Sequence, residues 1–106
     1  MRKTTIFPIP VNRELKKLGS DMKDARIRRR ISATMMCQRA GITRPTLQKV
    51  EKGDPMTSMG IYAKVLFVLN LHEKLGDMAD IRYDPIGLFL DASKLPKRVR
   101  QKKDIF

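Results

Sequence analysis

The stretch SATMMCQRAGITRPTLQKVEKG, residues 32–53, decides the fold. Ser32 and Thr43 each carry a hydroxyl that can accept a hydrogen bond at the start of a helix, so they predict two short helices. Gly41 lies between them, where a left-handed residue ends the first helix. Gly53 and the Asp-Pro pair behind it end the second. The stretch therefore predicts two helices joined by a tight turn.

The residues before this pair predict an arm and a longer first helix. The first twelve residues, 1–12, include two prolines and are typical of an extended arm, with Asn12 as the cap of the next helix. Apolar residues at three- and four-residue steps predict helix 1 over residues 13–29. Gly19 lowers the helix propensity inside this pattern, which leaves a continuous helix and a break near Ser20 as alternatives.

Within the pair, helix 2 is expected to end at about Arg39 and helix 3 to cover residues 44–52. The residues after the pair predict two further helices, one or two helical turns and a tail. Thr57 or Ser58 is expected to cap helix 4. Three more segments are predicted, namely helix 5 over 72–78, one or two helical turns over 86–92 after an Asp-Pro turn, and a mobile basic tail from residue 93.

Length and composition agree with one small helical domain. The chain has 106 residues, of which 42% are hydrophobic, and this is enough for one modest core. Trp is absent and aromatic residues make up 6%, so the core must be aliphatic and rich in methionine. We therefore expect an all-α fold with a five-helix domain over residues 13–80. The N-terminal arm over 1–12 and an extension with the basic tail over 81–106 flank it.

Charge and cysteine content restrict the partners. The formal net charge is +12 and the pI is near 10.4, which makes a polyanion the natural partner. Nucleic acid is the first candidate, ahead of an anionic membrane surface or an acidic protein. The apolar runs are too short for a membrane span or a signal peptide. One cysteine and one histidine predict no disulfide, no metal site and no cofactor, and they fit the cytoplasm.

Helix 3 carries the side chains that suit DNA. The inward positions of the pair are apolar, namely Met36, Ala40, Ile42, Leu47 and Val50, with Cys37 as a small core residue at the helix crossing. The residues left outward are Thr43, Arg44, Pro45, Thr46, Gln48 and Lys49. Arginine and lysine pair with guanine edges, glutamine with adenine, and threonine with thymine methyl groups or phosphate. The pattern therefore predicts a helix that recognises bases in the major groove.

With these residues in register, residues 18–71 resemble the Xre/Cro/CI-type helix-turn-helix family, to which phage repressors belong. The resemblance implies a lambda-repressor-like domain, without enzymatic activity, that binds double-stranded DNA as a homodimer. By position it implies base contacts from Arg44, Pro45 and Lys49. It implies contacts with phosphate or the groove wall from three further residues, Thr43, Thr46 and Lys52.

The resemblance also implies a structural ion pair and shows two departures. The helix 1 arginine and the glutamate that ends helix 3 are here Arg26 and Glu51. Where the family commonly has glutamine after the helix 2 cap, this chain has Ala33. The DNA contact that glutamine makes in the family is then expected from a backbone N–H of helix 2 or in part from Thr34. The glycine that often precedes helix 2 is here Arg30.

A narrower resemblance lies in the last third of the chain. The run DPIGLFLDASKLPKRVR, residues 84–100, is similar to small Xre proteins of the HipB type. These are antitoxins that bind operator DNA and hold a HipA-like kinase toxin inactive. The resemblance implies a nucleoid-associated repressor of a toxin–antitoxin operon, with a HipA-like kinase as a further partner.

Two other functions and several local alternatives remain open. A small basic ribonuclease toxin has this size and charge, but it needs a β-sheet with acid–base residues. An RNA-binding module would stack bases on aromatic residues set among basic ones. The run Arg28–Arg30 is either a solvated helix end or a phosphate contact. The apolar run Leu88–Leu90 either packs on helix 5 or contacts a partner.

Overall fold

The computed structural model describes residues 6–92, and every regular element in this range is helical. The elements are α1 (Ile9–Arg28), α2 (Ala33–Ala40), α3 (Arg44–Glu51), α4 (Met59–Val68), α5 (Glu73–Asp77), a 3₁₀ helix (Ile81–Tyr83) and α6 (Pro85–Ala92). Because residues 6–92 contain no strand, the predicted all-α class is confirmed. No helix in this range is long and apolar enough to cross a membrane. The chain divides between Glu73 and Lys74 into two compact units, whereas the sequence suggested a boundary after residue 80.

Helix α1 begins at Ile9 and not at residue 13, so the predicted arm is wrong for its last four residues. Pro8 is the N-cap of α1, and Pro10 lies in the first turn. Proline is well tolerated there because the N–H that it lacks has no intrahelical partner at that position. Asn12 is not the cap but lies inside the helix, and its backbone N–H donates to the Pro8 carbonyl (3.2 Å). The first five residues of the arm lie outside the described residues.

Helix α1 continues through Gly19 without a break. A Cβ atom at this position would lie 2.5 Å from the Val50 carbonyl oxygen and 2.7 Å from the Gly53 nitrogen, both of which are backbone atoms. Gly53 has a φ of 73° and would meet the backbone of Leu15 in the same way. The two glycines therefore allow α1 to pack directly on the backbone at the end of α3. The close approach explains why a poor helix former is found in the middle of a helix.

The substitution Gly19→Ala is expected to lower the free energy of unfolding by about 1–3 kcal/mol, because the new methyl group meets rigid backbone. A loss of stability would be informative, because helix propensity alone predicts that alanine stabilises a helix by about 1 kcal/mol relative to glycine. Gly60→Ala in α4 is the matched control, because the nearest atom to its Cβ would be a serine hydroxyl at 3.8 Å. Denaturant unfolding followed by circular dichroism measures both variants. Equal stability of the two would contradict the packing argument.

Helices α2 and α3 begin and end as the sequence predicts, to within one residue. The Ser32 hydroxyl accepts from the Met35 N–H (3.0 Å), and the Thr43 hydroxyl accepts from the Thr46 N–H (3.3 Å). Gly41 ends α2 with a φ of 70°. Helix α2 packs against α3 and α4, and α1 packs against α3. The predicted inward residues are buried except Ile42, which is only half-buried; the buried set is Met36, Cys37, Ala40, Leu47 and Val50.

Helix α4 completes the core of the first unit. Of the two predicted caps, Ser58 is the one used, and its hydroxyl accepts from the Ile61 N–H (3.2 Å). The buried face of α4 consists of Tyr62, Val65 and Leu66, followed by Leu69. The Tyr62 hydroxyl donates to the Asp54 carbonyl oxygen (2.8 Å) and so anchors the loop before α4. Burial, with a smaller contribution from the Asp54 carboxylate, raises the pKa of Tyr62 to about 12.

The raised pKa predicts a loss of stability in alkali. Because the folded-state pKa of Tyr62 lies above its ordinary value of 10.0, the neutral phenol stabilises the fold fully below pH 10. This contribution is lost as the pH rises from 10 to about 12. Urea unfolding at several alkaline pH values should therefore show a steeper decline for the parent than for Tyr62→Phe, which cannot ionise. Parallel declines of the two proteins would contradict the assignment.

In the second unit the structure describes residues 74–92, which form short helices and contain no buried residue. Helix α5 is shorter than the predicted 72–78, and the 3₁₀ helix behind it was not predicted. Helix α6 begins one residue before the predicted 86–92, since Pro85 occupies its first position, and the Asp84 carboxylate accepts from the Gly87 N–H (2.9 Å). Helix α6 packs against the 3₁₀ helix, and its residues Leu88–Leu90 are exposed. The predicted basic tail, 93–106, lies outside the described residues.

Candidate nucleic-acid interface

The outer face of α3 is fully accessible. Leu47 and Val50 are 2% and 0% exposed, and they fix α3 on the rest of the unit. The residues on the opposite side of α3 are exposed, as is Lys52 at its C-cap; the exposed residues of α3 are Arg44, Pro45, Gln48 and Lys49. This division follows the helical period, because positions three or four residues apart fall on the same face. The residues that the sequence assigned to base recognition are thus brought together on one open surface.

Two threonines hold the first turn of α3. The Thr43 hydroxyl accepts from the Thr46 N–H and donates to the Thr46 hydroxyl (2.9 Å). Thr43 is exposed and Thr46 is half-buried. Because the Thr46 oxygen accepts this bond, its own hydrogen can still be donated to an acceptor such as a phosphate oxygen. The pair therefore stabilises the turn that carries Arg44 and leaves one donor for a ligand.

The first turn of α2 offers backbone donors. The Ser32 hydroxyl accepts a hydrogen bond from the Met35 N–H. The amides of Ala33 and Thr34 have no intrahelical partner, because they lie in the first turn of the helix. Ala33 is half-buried and Thr34 is exposed, with no hydrogen bond to its hydroxyl among residues 6–92. Such N–H groups at a helix start favour a negatively charged ligand. The turn can therefore supply the contact that the sequence assigned to these two residues.

A buried ion pair joins the two ends of the α2–α3 pair. Arg26 Nε donates to Glu51 Oε2 (2.8 Å) and its Nη2 to Glu51 Oε1 (3.3 Å). Arg26 is 9% exposed, and its Nη1 donates to the Ile31 carbonyl oxygen (3.0 Å). One guanidinium thus holds the entry to α2 and the last residue of α3. Its role is to position these helices, since it is too buried to reach a ligand.

Sequence reasoning missed two features of this region. The Ile31 carbonyl oxygen is the second partner of Arg26, and no pattern in the sequence predicts this hydrogen bond. Arg30 has a φ of 56°, a conformation that favours glycine or asparagine. The rule that a left-handed residue commonly follows a helix could have suggested this conformation at the end of α1.

Charge is distributed unevenly along the described residues. In the first unit, over residues 6–73, basic residues outnumber acidic ones about two to one, and α3 lies in this unit. Over residues 74–92 acidic residues are in the majority. Among residues 6–92, no three His, Cys, Asp or Glu side chains come together in a way that could hold a metal ion. Among residues 6–92, the excess of positive charge therefore lies in the part of the chain that contains α3.

A comparison of the chain with models of known protein families, with curated proteins and with solved structures found no match.

Proposed function

We propose that this chain is a DNA-binding regulator, and not an enzyme, that represses its own operon. The observation that carries the proposal is the open face of α3, where Arg44, Gln48 and Lys49 stand together over a buried apolar side. Arg44 and Gln48 are four residues apart and so lie on the same face. A helix about 10–12 Å in diameter fits the major groove, which is about 12 Å wide. The open face is therefore suited to contact base edges.

The arrangement around α3 supports a lambda-repressor-like helix-turn-helix domain of the Xre/Cro/CI type. Two capped helices meet through a left-handed glycine, and α1 and α4 cover their inner side. The Arg26–Glu51 pair ties the last residue of α3 to α1. Threonine hydroxyls and the amides at the start of α2 can bind phosphates on either side of the helix. In this arrangement phosphate contacts orient α3, and its side chains select the sequence.

A homodimer is the form that we propose to bind the operator. Two recognition helices related by a two-fold axis bind half-sites about 34 Å apart, one turn of the double helix. Selection from a pool of random duplex sequences tests this form directly. The expected product is a palindrome whose half-sites are separated by one turn. Recovery of unrelated sequences, with no enriched half-site, would contradict sequence-specific binding.

The antitoxin role is the most specific form of the proposal. It is supported by the similarity of residues 84–100 to HipB-type regulators, and part of this run lies outside the described residues. We infer a HipA-like kinase as the second partner and the cytoplasmic nucleoid as the location. A kinase-like reading frame beside this gene should inhibit growth when expressed alone and not when expressed with this chain. Inhibition that persists on co-expression would contradict the role, although DNA binding could still stand. No observation among residues 6–92 favours a ribonuclease or an RNA-binding module.

A further inference from the structure

Arg30 is the one residue among residues 6–92 whose type does not suit its backbone conformation. Four positions in this range have positive φ angles, and two of them are glycines. The third is Asn70, with a φ of 63°, and asparagine tolerates this region. Arg30 has a φ of 56°, where the Cβ atom of arginine is crowded and glycine would be relaxed. The chain therefore maintains a strained residue at a surface turn.

The turn itself explains the conformation but not the side chain. The Arg30 N–H donates to the Ile27 carbonyl (2.9 Å), and the Ile31 N–H reaches back to the Arg26 carbonyl (3.1 Å). This pattern closes a helix with a left-handed residue, which is most often glycine. Glycine would satisfy every backbone bond of the turn. What glycine cannot supply is the guanidinium.

The Arg30 guanidinium has no structural role among the described residues. Arg30 is exposed, and it forms no hydrogen bond or ion pair through its side chain in this range. Its neighbours Arg28 and Arg29 are also exposed, and no carboxylate in this range pairs with either of them. The dipole of α1 favours cations near its end, but it does not favour arginine over glycine at the left-handed position. Arg29 Nη1 donates to the Ala25 carbonyl oxygen (3.0 Å), whereas the Arg30 guanidinium is left for an external anion.

The position of Arg30 indicates where such an anion would lie. Ile31, the next residue, and Glu51 are held by the same Arg26 guanidinium. Lys52 follows Glu51 and is exposed. Arg30 and Lys52 are therefore each the sequence neighbour of a residue that Arg26 binds, and two residues separate Arg30 from the first turn of α2.

We propose that Arg30 binds a backbone phosphate of duplex DNA at the entry to α2, and that the strained turn is maintained for this contact. The inference rests on the proposed DNA-binding function and adds one phosphate ligand to it. Because a phosphate contact is independent of base sequence, it contributes to binding of any duplex. Its signature is the salt dependence of affinity, since each neutralised phosphate releases counterions.

The substitution Arg30→Gly tests the proposal because stability and affinity should change in opposite directions. Relief of strain should raise the midpoint of thermal unfolding by a few degrees. Affinity for a fluorescently labelled mixed-sequence duplex should fall about fivefold at physiological salt. The slope of log affinity against log salt should become less steep by about 0.9. Fluorescence anisotropy over a series of salt concentrations measures both quantities.

Two further variants separate the outcomes. Arg30→Lys keeps the charge and should keep the salt slope, while Asn70→Gly changes the other non-glycine position of positive φ and should leave DNA binding unchanged. If Arg30→Gly binds like the parent, the phosphate contact is refuted and the proposed function stands. If Arg30→Gly is less stable than the parent, the strain argument is refuted. If the parent itself does not bind the duplex in a salt-dependent manner, the proposed function and this inference fail together.

Discussion

Replacing Arg44 by alanine should weaken binding to the selected DNA site by roughly 5- to 150-fold. This corresponds to the 1–3 kcal/mol that a good bidentate contact to a base contributes. Lys49→Ala should have an effect of the same order, and the double variant should lose binding on the order of a thousandfold if the two contacts are independent. The physical reason is that both side chains lie on the open face of α3, and truncation to alanine leaves the polar base edge that each contacts without its partner. Competition binding against mismatched sites measures the loss of selectivity together with the loss of affinity.

A lysine elsewhere on the same unit provides the control for that experiment. Lys64 is exposed on α4, so Lys64→Ala removes one positive charge without touching α3. This variant should keep its preference for the selected site and should lose little affinity. If Arg44→Ala and Lys49→Ala behave like Lys64→Ala, the assignment of base recognition to α3 is wrong.

Replacing Glu51 by alanine should lower the free energy of unfolding by about 3–5 kcal/mol, because the Arg26 cation is then buried without a carboxylate. Both side chains of the pair are only 11% exposed, so the guanidinium left behind has little contact with water. The same variant should bind DNA weakly, since the end of α3 is no longer tied to the entry of α2. Denaturant unfolding at neutral pH measures the stability, and anisotropy measures the binding.

Two comparison variants identify the cause of the loss. Arg26→Met together with Glu51→Ala removes both charges and should regain much of the stability, because an apolar side chain in a buried site needs no partner. Asp21→Ala breaks the exposed Lys17–Asp21 pair and should have little measurable effect. A double variant no more stable than Glu51→Ala alone would show that the loss comes from packing and not from the unpaired charge.

Local signals predicted the α2–α3 pair, because its caps and glycines act on backbone groups only a few residues away. The start of α1 was missed because prolines that suit an arm suit the first turn of a helix equally well. The role of Gly19 could not be predicted, since the Val50 carbonyl that it meets is distant in sequence. The exposure of Arg44 and Lys49 follows from helical periodicity. A left-handed residue commonly follows a helix and is usually glycine, so an arginine at position 30 did not indicate this conformation in advance.

The central claim is that the leading turns of α3 enter the major groove. Backbone amide chemical shifts, recorded by NMR while the selected duplex is added, test it most directly. The largest changes should fall on Ala33, Thr34 and residues 43–49 other than Pro45, which has no N–H, with residues 74–92 much less affected. Changes confined to residues 74–92, with the amides of residues 43–49 unmoved at saturation, would contradict the claim.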